Sequence, residues 1–263
     1  MSESSRISRR FAELRARGET GLVIYIMAGD PDLETTRALI LELERVGADI
    51  IELGVPFTDP LADGPSIQAA NERALAEDVT LDKILALVSD IRTVSQIPIL
   101  LMTYYNPIFR AGQERVARLA REAGVDGLLI TDLPPEEAGE WKSAADAAGV
   151  DTIFLLAPTS NQERIDIAAA NATGFVYCVS RTGVTGVQSE LPTDLRGLLD
   201  RIRARTDSPI AVGFGVSKPE HVKQIGEWCA AAVVGSAVVN VIAREGRAAV
   251  APVGELVRGL KGA

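Results

Sequence analysis

Eight short, almost uninterrupted apolar runs, each followed by sequence of helical period, constrain this chain more than any other feature. They are LVIYIM (22–27), DIIELG (49–54), PILLMT (98–103), DGLLIT (126–131), TIFLL (152–156), GFVYCV (174–179), PIAVGF (209–214) and AAVVG (231–235). Strands of a parallel sheet covered on both faces read this way, because neither face can be polar. Between them lie amphipathic stripes such as Leu39, Ile40, Leu43 and Val46, and Leu195, Leu198, Leu199 and Ile202. Gly47 and Gly149 fall where helices end and a left-handed residue is needed. Pro134-Pro135 before Glu136 and Glu137, and Thr159-Ser160, mark expected helix starts. Eight strand–helix units predict an α/β fold, a (β/α)8 TIM barrel, over a single domain of residues 1–263. An extra N-terminal helix carrying Ile7, Phe11 and Leu14 is expected to cover the barrel floor, and a short phosphate-binding helix to follow strand 8. An open doubly wound sheet uses the same alternation, but MAGDPD after the first strand has no GxGxxG fingerprint.

Composition excludes several classes of function. The net charge of −9 disfavours a broad nucleic-acid or anionic-membrane surface, although one phosphate can still be held by backbone N–H groups. Only Cys178 and Cys229 are present, which offers no disulfide framework and suits a reducing cytoplasm. No apolar run approaches the roughly 20 residues that span a bilayer, nor does the N-terminus resemble a signal peptide, so a cytoplasmic protein is expected. The five lysines (Lys83, Lys142, Lys218, Lys223 and Lys261) all lie outside the expected strands, which argues against a Schiff-base aldolase. His221 is the only histidine, so a His-ligated metal is not expected, and Cys178 reads as core.

In a barrel, chemistry gathers at the C-terminal ends of the strands. Glu52 sits there on the second strand, among Ile50, Ile51, Leu53 and Val55. Turned inward it would be costly to bury without a purpose, and its raised pKa would suit proton transfer; turned outward it would be structural. The following loop, GVPFTDPLADGP, carries Pro56, Pro60 and Pro65 and should be shaped enough to bring Asp63 back over the mouth. Two carboxylates in unlike environments can divide acid, base and electrostatic roles. The segments SRTGVTG, GFGVS and GSAVV follow strands six, seven and eight, and Gly186, Gly215, Gly235 and Ser236 in them read as a phosphate grip.

The segments GDPD (29–32), ELGVPFTDPLADGP (52–65), LLMTYYNP (100–107), TDLPPEE (131–137), YCVSRTGVTG (177–186), VGFGVS (212–217) and VGSAVV (234–239) closely resemble the tryptophan synthase alpha chains, with Thr58 where serine is common. That resemblance implies retro-aldol cleavage of indole-3-glycerol phosphate to indole and glyceraldehyde 3-phosphate, in L-tryptophan biosynthesis. It implies that Glu52 is the acid/base, that Asp63 accepts from the indole N–H, and that Tyr177 is auxiliary. Tyr25, Met102, Leu129 and Leu155 would line the indole slot. Arg181, Gly183 and Thr185 would belong to a loop, 181–192, that closes over substrate. The chain itself would carry no cofactor, while a partner beta chain, in an alpha2beta2 complex, would carry pyridoxal phosphate and receive the indole, with the Pro56–Pro60 loop as the contact. A stand-alone indole-releasing lyase and a catalytically silent barrel used as a binding module are the alternatives, and the joint presence of Glu52, Asp63 and the phosphate loops argues against the second.

Overall fold

A computed structural model describes residues 5–179, 193–213 and 215–262. Its strands are β1 (Gly21–Met27), β2 (Ile50–Gly54), β3 (Ile99–Thr103), β4 (Gly127–Ile130), β5 (Asp151–Leu156), β6 (Val176–Val179), β7 (Ile210–Gly213) and β8 (Ala231–Val234). Each is parallel to its neighbours, and β8 closes on β1 to complete the expected barrel. The described helices, in chain order, are α1 (Arg6–Arg17), α2 (Leu33–Arg45), α3 (Pro65–Ala76), α4 (Leu81–Ile91), α5 (Tyr105–Ala111), α6 (Gln113–Ala123), α7 (Gly139–Ala148), α8 (Gln162–Asn171), α9 (Thr193–Arg203), α10 (Pro219–Gly226), α11 (Ser236–Glu245) and α12 (Val250–Lys261).

The continuous apolar character of the strands has a two-sided cause. Alternate residues such as Leu22, Ile24 and Ile26, or Ile51 and Leu53, face the surrounding helices. The residues between them, Val23, Ile50, Leu100, Leu129, Ile153 and Phe175, fill the interior of the barrel. Ile7, Phe11 and Leu14 of α1 join that interior cluster and close the floor, with the Phe11 and Phe175 rings 5.6 Å apart. Three buried aspartates at the strand starts hold α1 in place. Arg10 pairs with Asp49 at 2.6 Å, Arg6 with Asp126 at 2.9 Å, and the Ser5 hydroxyl donates to Asp151 at 2.5 Å. These carboxylates also accept from the barrel, Asp49 from the Leu22 N–H and Asp126 from the Ile99 N–H. Asp49 and Asp126 are thus ion-paired, while Asp151 is met by the Ser5 hydroxyl alone from this helix.

Two expected helix starts are displaced. Pro134–Glu137 forms a separate 3-10 turn at Pro135–Glu137, and α7 begins only at Gly139. The fixed φ of Pro135 starts a turn that does not propagate, because the chain re-enters helix after Ala138. Asn161, rather than Thr159 or Ser160, caps α8, its side chain accepting from the Arg164 N–H; the Ser160 hydroxyl instead accepts from the Ala157 N–H in the preceding turn. Gly47 and Gly149 have φ of 98° and 71°, as their positions past α2 and α7 require. Among the described residues no helix is long and apolar enough to cross a membrane.

Candidate active site

The parallel register aligns Tyr25 of β1 with Glu52 of β2, so two inward side chains meet near the C-terminal mouth. Glu52 is wholly buried. Its Oε2 accepts from the Tyr177 hydroxyl at 3.5 Å, a long contact, and its Oε1 has no hydrogen-bond partner among the described residues. Burial, with a smaller contribution from Asp63, pushes its pKa up to about 8 against the opposing Tyr177 contact. The inward reading of the sequence is therefore the one adopted, and the group holds its proton through neutrality.

Asp63 is half-buried above it. Desolvation pushes its pKa to about 6, against a hydrogen bond from Tyr104 that favours the charged form. The loop carrying it is shaped, as its prolines suggest. Asn71 of α3 makes two bonds to Phe57, accepting from its N–H at 2.7 Å and donating to its carbonyl at 2.8 Å. Gln68 donates to the carbonyls of Pro60 and Asp63, and the Ala62 N–H donates to the Tyr104 hydroxyl at 3.0 Å. Arg73 of α3 grips the buried Asp30 with two bonds of 2.7 and 2.8 Å, joining the loop after β1 to the same helix.

The remaining expected residues fall into two apolar groups. Tyr25, Met102 and Tyr177 lie around the mouth, Tyr25 and Met102 in one apolar group and Met102, Leu155 and Tyr177 against the interior one. Leu129 is fully buried in that interior group, beside Met102 in the β3–β4 register. Among the described residues the Tyr25 hydroxyl has only the Met27 sulfur, 3.9 Å away, as a hydrogen-bond partner. Gly215 has a φ of 51° with open space where a Cβ would stand, and Gly235 immediately precedes Ser236, the first residue of α11. Both lie just past the ends of β7 and β8. Gly186, Arg181, Gly183 and Thr185 lie outside the described residues.

Sequence reading missed two kinds of contributor. Tyr104, directly after β3, touches the Asp63 loop through its hydroxyl and stacks on Phe57 with centroids 5.0 Å apart. Gly54 and Gly213 make room for the mouth tyrosines. A Cβ at Gly54 would stand 2.3 Å from the Tyr25 hydroxyl, and one at Gly213 would stand 3.1 Å from that of Tyr177. Register alone would have flagged Gly54, two residues beyond Glu52 on the same inward face.

Within this frame the comparisons with known proteins are decisive. The family described as "Tryptophan synthase alpha chain" matches residues 11–261. The chain belongs to that family. The tryptophan synthase alpha chain of Citrifermentans bemidjiense is 54% identical over 236 residues, covering 90% of this chain and 88% of that one. That of Roseiflexus sp. is 50% identical over 254 residues, covering 96% and 95%. Among solved structures, tryptophan synthase subunit alpha from Legionella pneumophila superposes with a TM-score of 0.91 at 35% identity, covering 98% of this chain and 97% of that one. A chain of the tryptophan synthase complex from Pyrococcus furiosus gives 0.86 at 41% identity, with 92% and 98% covered. As a tryptophan synthase alpha chain it is a carbon–carbon lyase cleaving indole-3-glycerol phosphate. All five lysines lie outside the described strands.

Proposed function

We propose that Glu52 and Asp63 share the cleavage as proton carrier and electrostatic partner, with the wholly buried, half-satisfied Glu52 carboxyl as the observation that supports it. Protonated Glu52 delivers its proton to indole C3, which places positive charge on the ring nitrogen. The Asp63 carboxylate accepts from that N–H and stabilises the charge. Glu52, now a carboxylate, takes the proton of the adjacent side-chain hydroxyl. The bond from C3 to the side chain then breaks, its electron pair restoring the neutral indole while the hydroxyl carbon becomes the aldehyde. Glu52 ends protonated, as it began.

Tyr177, donating to Glu52 Oε2, steadies the carboxylate form between the two transfers. Tyr25, Met102, Leu129 and Leu155 are the apolar surround for indole. Gly215, Gly235 and Ser236, with Gly186, hold the phosphate, a role supported by the left-handed Gly215 and by the start of α11. Arg181, Gly183 and Thr185 belong to the covering loop. This chain uses no cofactor; it works in the cytoplasm with a beta chain carrying pyridoxal phosphate. The Pyrococcus furiosus neighbour, a tryptophan synthase a2b2 complex, supports that assembly, with the Pro56–Pro60 loop as contact.

The test is indole release from indole-3-glycerol phosphate. Glu52→Gln lowers turnover by at least about a thousandfold while substrate still binds, because the side chain keeps its size and loses its proton chemistry. Asp63→Asn lowers it by about a hundredfold or more. Near-normal turnover in either variant overturns the corresponding role.

A further inference from the structure

We infer that Tyr104 is a positioning residue for Asp63: its hydroxyl, locked by a ring stack and by a backbone N–H, fixes where the Asp63 carboxylate stands over the mouth. This deepens the role given to Asp63 above and rests on it. A phenol oxygen carries one proton, and here the oxygen accepts from the Ala62 N–H at 3.0 Å. Asp63 is the next residue, so the fixed Ala62 N–H sets the backbone from which the Asp63 carboxylate projects. One side chain therefore holds the backbone of the turn that carries Asp63.

The hydroxyl is itself immobilised. The Tyr104 ring is 5% exposed and stacks on Phe57 at an interplanar angle of 28°. Phe57 is fixed in turn by its two bonds to Asn71, a buried side chain of α3. On the other side the Tyr105 N–H donates to Asp132 at 2.7 Å, and the Thr131 hydroxyl donates to the Thr103 carbonyl, tying the end of β3 to the loop after β4. The charged and titratable groups that act on Asp63 are Glu52 from β2, Tyr25 from β1 and Tyr104 itself. Of these Tyr104 is the one that favours the carboxylate form of Asp63, so losing its hydroxyl moves the balance toward the protonated form.

Tyr104→Phe keeps the ring, its stack and its burial, and removes only the hydroxyl. The expected result is a fall in kcat of about tenfold with KM changed less than about threefold. The acid limb of the kcat profile moves up by about one pH unit. Asp63 followed by carbon-13 carboxyl NMR shows the same upward shift without turnover. Phe57→Leu, which keeps the hydroxyl but removes its stack, shifts both in the same direction by less. In an Asp63→Asn background, Tyr104→Phe has no further effect on kcat. A wild-type acid limb in both Tyr104→Phe and Phe57→Leu overturns the inference, as does an equal loss of kcat in the Asp63→Asn background. Near-normal turnover of Asp63→Asn alone instead overturns the role of Asp63.

Discussion

Glu52 and Asp63 sit in one mouth, and their environments separate them in the direction the proposed cleavage needs. With Asp63 near 6 and Glu52 near 8, the productive pair of an ionised Asp63 and a protonated Glu52 dominates between those values. The rate of indole release should therefore be bell-shaped, rising through about pH 6 and falling through about pH 8; a profile flat to pH 9 would contradict the assignment. The same shift acts on folding. The Glu52 pKa is raised from 4.5, so its proton stabilises the fold below that value, and the contribution is lost as pH climbs through about 8. Glu52→Gln has no such proton to lose. Its unfolding free energy should gain on the parent by up to about 1.4 kcal/mol per pH unit across the window, measured by urea titration at pH 5 and pH 9. A pH-independent difference would show that Glu52 is less buried than its geometry indicates. Glu52 was legible in the sequence because a charge interrupts an apolar run. Tyr104 was not, because a tyrosine at a strand end suits a core equally well, and its partner Ala62 lies 42 residues away.

At the scale of elements, the floor helix α1 shows what a sparse apolar stripe can do. Phe11 is nearly buried and lies against Phe175, so Phe11→Ala should cost about 3–5 kcal/mol, read from urea unfolding. A loss below about 1 kcal/mol would mean that the helix is held by its ion pairs alone. The stripe of Ile7, Phe11 and Leu14 was readable from its spacing. The aspartates that receive Arg6 and Arg10 were not, because Asp126 and Asp49 stand just before strands 120 and 39 residues further along the chain. Helix starts were misread where two signals compete. Pro134-Pro135 carries the residue types of a first turn, yet the chain spends them on an isolated 3-10 turn. Strand positions were easier, since burial on both faces leaves an apolar run that survives errors of a residue at either end.

For the molecule as a whole, the barrel was readable from the count and order of its strands, whereas the assembly it enters rests on kinship. The loop from β2 to α3 is held in shape from below and presents Leu61 almost fully to solvent. Adding a beta chain should stimulate indole release by about tenfold or more, and Leu61→Glu should weaken that stimulation; equal rates with and without the beta chain would refute the contact. The floor has a consequence for such a partner. Ile7, Phe11 and Leu14 turn the barrel into a cul-de-sac, filled with side chains up to the level of Glu52. Among the described residues the floor is packed shut, so Glu52 is approached from the C-terminal mouth and not from below. Whatever stands at the mouth, a partner chain included, therefore meets both the substrate and the proton of Glu52 on their way in.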